Sequence, residues 1–194
     1  MVKTLVKKLV ESWPENGLGL HGTQFKNVAG IRKEGLVKGV PYIATLPHPK
    51  YFKGKYAPSE MLSRAIGSAL FAGSFALRKE SYNPNAGSGD LPAIVIVRPP
   101  MGEVIRPGYD EQHNQFVTYG AKARKSYGKV PTSSPPESVA AHVRITRNEH
   151  RQIFKRTKGS QREQAMRSLL AMKTLKALRG IIEREAKQRA KGQQ

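Results

Sequence analysis

Leu18-Gly19-Leu20-His21-Gly22-Thr23 is the stretch on which the reading of this chain turns. An apolar strand ends there in an imidazole, a residue without a side chain and a hydroxyl. Residues Phe25 to Lys33 follow with the pattern of a short helix, and Gly35 is placed as its C-cap, ahead of Leu36. A flat polar ligand can dock at such a strand end, because the glycine leaves the backbone approachable beside two hydrogen-bonding groups. The plain alternative is a strand end whose histidine is an ordinary satisfied polar residue.

Working outward, Val2, Leu5, Val6, Leu9, Val10 and Trp13 recur at helical spacing with lysines opposite, which predicts an amphipathic helix within residues 1–17, stopped by Pro14 and the Asn16-Gly17 turn. Val40 to Thr45 reads as a second strand. Residues 47–57 form a basic, aromatic loop. Ser59 is a candidate N-cap for a helix over Glu60 to Leu77, whose small apolar residues suit a buried position. Residues 80–91 carry dense turn chemistry and are expected to be a mobile loop. Pro92 to Val97, a continuous β-branched run, is the clearest strand and predicts burial on both faces. Phe116 to Tyr119 is a short strand candidate, and Val139 to Ile145 reads as the last strand. Beyond it, Ser160-Gln161-Arg162-Glu163 is a capping-box pattern. Met166, Leu169, Leu170, Met172, Leu175, Leu178, Ile181 and Ile182 then make an apolar stripe on a long helix with a basic opposite face.

This order of elements predicts an α+β fold. It divides into an N-terminal helix (1–17), a central domain (18–145) and a basic helical C-terminal extension (146–194). The net charge of +20 over 194 residues points to phosphate polymers or anionic surfaces as partners. The absence of cysteine excludes disulfides, thiolate metal sites and a cysteine nucleophile. No apolar run reaches the roughly 18 residues a membrane span needs, so no stable membrane insertion and a cytoplasmic location are expected. His48, His113, His142 and His150 share no metal-ligand spacing, and no metal site is expected.

His21-Gly22-Thr23, Ile31, Gly35-Leu36 and Tyr42-Ile43-Ala44, followed by a small-residue helix, resemble the ADP-ribosyltransferase superfamily. That group includes poly(ADP-ribose) polymerases and diphtheria-like toxins. The resemblance spans residues 18–145 and is specific over 20–45. It implies a split antiparallel sheet core and NAD as the bound substrate. It also implies that His21 bonds the ribose, that the Gly22 backbone pairs with the nicotinamide amide, that Thr23 supports the ribose or orients His21, and that Tyr42 stacks on the ring. Tyr51 and Tyr56 are substitutes for that stacking role.

Members that transfer ADP-ribose carry a glutamate before the final core strand, where a carboxylate stabilises an oxocarbenium-like state. Here Tyr127 to Val130 holds no acid. Gln115, within Asn114-Gln115-Phe116-Val117-Thr118-Tyr119, stands where the polymerases carry that glutamate, and Glu111 and Glu137 are the other candidates. The RNA 2′-phosphotransferase branch fits less well, since no arginine follows the second strand until Arg64.

The basic face adds a second theme. Lys50, Lys53 and Lys55 beside loop aromatics, with Arg162, Lys173 and Lys176 on the long helix, suit a nucleic-acid backbone. The sequence thus carries two functional readings. One is an NAD-dependent transferase acting on nucleic acid or a nucleic-acid-associated protein. The other is a basic nucleic-acid binder without catalysis, including a degenerate transferase fold lacking its glutamate.

Overall fold

The computed structural model describes residues 13–36, 43–46, 48, 58–98 and 136–192. Four strands, β1 (Leu18–Gln24), β2 (Ile43–Leu46), β3 (Pro92–Val97) and β4 (Val139–Arg144), form one antiparallel sheet in the order β2-β1-β3-β4. Among the described residues four helices accompany it: α1 (Phe25–Glu34), α2 (Pro58–Ala76), α3 (Arg147–Arg156) and α4 (Ser160–Gly192). An antiparallel sheet with helices packed over it is an α+β fold.

Alternation along the strands sorts their side chains onto two faces. Leu18, Leu20, Ile94 and Ile96 join Ala44 and Leu46 in the larger core, which α2 and α4 cover. From α2 come Ala65, Ala69, Ala72 and Ala76, a stripe of methyl groups that lets the helix lie close against β1. From α4 come Met166, Leu170, Ala171, Leu178, Ile181 and Ile182. Ala93, Val95 and Val97 face the other way and make a smaller core with Val28 and Leu36, against α1. β3 is therefore buried at all six positions, which accounts for its unbroken apolar sequence.

The short helix after β1 ends as its sequence predicts. Gly35 takes a positive φ of 79°, and its amide donates to the Ile31 carbonyl at 2.9 Å. At the start of the described chain Trp13 is buried, and its indole N–H donates to the Leu46 carbonyl at 3.4 Å.

Residues 79–90 depart from the expected mobile loop. Two 3-10 turns, Lys79–Tyr82 and Ser88–Asp90, are tied to their surroundings at several points. Buried Ser81 donates to the Asp90 carbonyl at 3.3 Å, and its own carbonyl lies 2.9 Å from His150 Nε2. The Gln24 amide donates to Glu80 and to the Asp90 carbonyl, and Lys26 pairs with Asp90 at 3.0 Å. Turn-forming residues set the bends here, while long-range bonds that local sequence cannot reveal hold the segment in place.

α3 falls inside the expected helical extension (146–194), although no apolar period in the sequence marks it as a separate helix. Its N-terminus is a reciprocal capping box: the Glu149 amide donates to Thr146 Oγ1, and the Thr146 amide donates to Glu149 Oε2 at 2.8 Å. The Thr146-Arg147-Asn148-Glu149 spacing carries that signal in the sequence. Buried His150 and partly buried Ile153 face the rest of the molecule.

Candidate functional site

His21, Gly22 and Thr23 are consecutive, yet the strand sends them to different surroundings. Gly22 points toward α2. A Cβ built on it would lie 1.9 Å from the Ala72 carbonyl oxygen and 2.8 Å from the Ala76 amide nitrogen. Helix packing alone therefore demands glycine at this position. Thr23 lies on the opposite face, is buried, and its hydroxyl accepts from the Asn27 amide at 3.0 Å. That bond ties β1 to the first turn of α1. His21 shares the Thr23 face but remains partly exposed, the one residue of β1 that is not buried.

The ladder fixes where the backbone of this segment points. The Phe25 amide donates to the Leu91 carbonyl at 2.9 Å, so hydrogen-bonded pairs to β3 fall on the odd-numbered residues of β1. The N–H and C=O of Leu18, Leu20 and Gly22 consequently turn toward β2. Leu18 meets Leu46 and Leu20 meets Ala44. The described β2 starts at Ile43, opposite His21, so Gly22 is one residue beyond the last described pair, with its amide and carbonyl on the β2 side of β1.

Across the sheet, His21, Val95 and His142 form one row. The His142 ring centroid lies 6.1 Å from that of Phe25, and the Arg144 guanidinium sits 3.8 Å over the Phe25 ring. Burial, together with the positive charges of Arg32 and Arg144, pushes the His142 imidazole below its ordinary value of 6.5, so it favours the neutral form. Sequence inspection gave His142 no role. Period-two alternation places it on a face, but only cross-strand register brings it into line with His21.

The remaining candidates separate clearly. Tyr42, Tyr51, Tyr56, Lys50, Lys53, Lys55, Glu111 and Gln115 lie outside the described residues. Glu137 is exposed, in the 3-10 turn Pro136–Ser138 that feeds β4, two strands from β1. Arg162 donates to the Thr157 carbonyl at 3.1 Å and stacks over Phe154, 4.2 Å from its ring centroid. Lys173 bonds the Arg144 carbonyl at 2.9 Å and Glu149 at 2.6 Å. Both cations are thus committed to the joint between α3, α4 and β4. Lys176 is exposed on α4.

Among the described residues no group of three or more His, Asp or Glu could hold a metal, and no helix is long and apolar enough to cross a membrane. Compared with known proteins, the sequence matches no family model and no curated protein, and the structure matches no solved one.

Proposed function

We propose that this protein binds NAD at the β2 side of β1 and transfers its ADP-ribose to a macromolecular acceptor, with nucleic acid as the acceptor class. One observation carries the reading. The backbone amide and carbonyl of Gly22 lie on the β2 side of β1, one residue beyond the last described pair and next to His21, the one incompletely buried residue of its strand. A donor and an acceptor side by side on one residue match a primary carboxamide such as that of nicotinamide. An adjacent imidazole can hydrogen-bond a ribose hydroxyl. The resemblance of residues 20–45 to the ADP-ribosyltransferases supports the same placement.

In the reaction, the bond between the nicotinamide nitrogen and the anomeric carbon of ribose breaks, and its electron pair leaves with nicotinamide. The acceptor's nucleophilic atom forms the new bond to that carbon and releases its proton to solvent. Gln115, if it stands where transferases carry glutamate, would bond a ribose hydroxyl without offsetting the developing positive charge, so slow turnover is expected.

The test is calorimetric titration of NAD into the full chain, His21→Ala and His21→Gln, at moderate salt to suppress nonspecific anion contacts. Thermal melts of each variant show that folding is intact. Saturable binding by the wild type, weakened about tenfold or more in His21→Ala, corresponds to the loss of more than about 1.4 kcal/mol. No saturable binding, or equal affinity in folded variants, would overturn the reading.

A further inference from the structure

The helices α3 and α4 are both rich in basic residues; α4 offsets part of its charge internally, although Arg184, Lys187 and Lys191 remain exposed. On α4, Glu163 pairs with Arg167, Glu183 with Arg179 and Glu185 with Arg189, each four residues apart. Interleaved pairs of this kind are what a solvated structural helix uses to offset its charge. On α3, Arg147, Arg151 and Lys155 follow one another at four-residue steps, and all three are exposed. Among the described residues none of the three has a carboxylate partner.

The acid of this helix is turned elsewhere. Burial works to raise the Glu149 carboxyl, but bonds from Lys173 and Thr146 outweigh it and hold the carboxyl below its ordinary value of 4.5. It therefore spends its charge on the cap and on α4. What remains outside is a row of like charges one helical turn apart, each i,i+4 pair mutually repulsive. Arg147, in the first turn, also stands at the positive end of the helix dipole. A structural role for these cations would have placed them better.

Beside this row the surface dips into a recess lined by Pro84, Asn85, Ala86, Arg147, His150 and Arg151. The His150 ring is held by the Ser81 carbonyl and stacked near Phe154, which fixes the floor. We propose that the exposed face of α3 is a docking surface for the phosphodiester backbone of a nucleic acid, with one phosphate seated between Arg147 and Arg151 and the next engaged by Lys155. The helical step of about 6 Å presents the cations in sequence along a single strand. An anionic membrane is a poorer fit, because such helices insert an apolar face. The apolar side of α3 is turned inward instead, and among the described residues the exposed large hydrophobics, Leu62, Ile66, Tyr82 and Met172, all lie on other elements.

This surface deepens the nucleic-acid part of the function proposed above and is independent of the NAD site. The experiment compares the full chain with two triple variants, Arg147→Gln/Arg151→Gln/Lys155→Gln and Arg184→Gln/Lys187→Gln/Lys191→Gln. The second set removes equal charge from exposed positions of α4. Anisotropy of labelled single-stranded RNA and of duplex DNA is measured over a series of salt concentrations, alongside sedimentation with vesicles of phosphatidylcholine and phosphatidylserine. The α3 triple is expected to lose about tenfold or more in nucleic-acid affinity at about 0.15 M salt, and its salt slope to fall by about 2 to 3. The α4 triple should stay within about twofold of the wild type. The melting temperature of the α3 triple should not fall, since repulsion is relieved, and its NAD titration should match the wild type. Equal weakening by the two triples, no effect of the α3 triple, or binding to vesicles alone would overturn the surface. Loss of the NAD titration in His21→Ala, with the RNA result unchanged, would separate the two sites.

Discussion

At Gly22 one missing methyl group decides a tertiary contact. The Ala72 carbonyl occupies the space a Cβ would need, and a helix backbone cannot yield as a flexible side chain can. Gly22→Ala is therefore expected to cost about 3 kcal/mol, a drop in Tm of roughly 6–12 °C for a chain of this size, read by thermal denaturation. Lowered NAD affinity in that variant would carry no information about the ligand, because the strand itself would have shifted. The sequence spelled out this glycine, but its neighbour across the core, fifty residues away, could not be inferred from spacing. Thr23 taught the same lesson. Its hydroxyl accepts from the Asn27 amide, a bond to the next element that the motif alone did not reveal.

At the scale of elements, signals that live within a few residues were legible. β3 is bounded as its β-branched run predicts, and the α1 stop sits on its glycine. Of the expected strand over Val40 to Thr45, the part from Ile43 is described and is strand, and α2 begins at Pro58. The separate bounds of α3 were not legible because only Ile153 and Phe154 among its ten residues are strongly apolar, too few to set up a helical period. Its capping box compensates for that thin stripe. Thr146→Ala is expected to cost about 1 kcal/mol, measured by urea denaturation at neutral pH. The acid side of the box adds a pH dependence whose sign follows from the depressed Glu149 carboxyl. Its stabilisation is complete above the unfolded carboxyl value and disappears as pH falls through the lower folded one. The stability gap between wild type and Glu149→Gln should accordingly close in acid, and a gap that persists or widens there would contradict the assignment.

For the molecule as a whole, the basic C-terminal region does more than append charge. Met166, Leu170, Leu178, Ile181 and Ile182 share one core with Leu18, Leu20, Ile94 and Ile96. Arg98 on the β3 exit pairs with Glu185 at 2.8 Å, and Arg189 reaches the Trp13 carbonyl at 3.3 Å, so the two ends of the described chain meet. Truncation at residue 159 is expected to abolish cooperative unfolding, judged by the loss of a sigmoidal calorimetric transition. A truncated chain that melts cooperatively would mean that the sheet and α2 bury enough surface by themselves. Apart from Met172, which is exposed, the apolar stripe of α4 was readable as a packing face. Its partner was not, since contacts between residues so far apart in the chain leave no periodic trace.

The close seating of α2 on β1 has one more consequence, for anyone sorting other sequences against this one. A glycine after the histidine would recur wherever this helix lies on this strand, whether or not any ligand is bound. It marks shared architecture and is silent about chemistry. The imidazole at 21 is under no such packing demand from α2, so it is the position whose retention or loss would divide binders from bystanders.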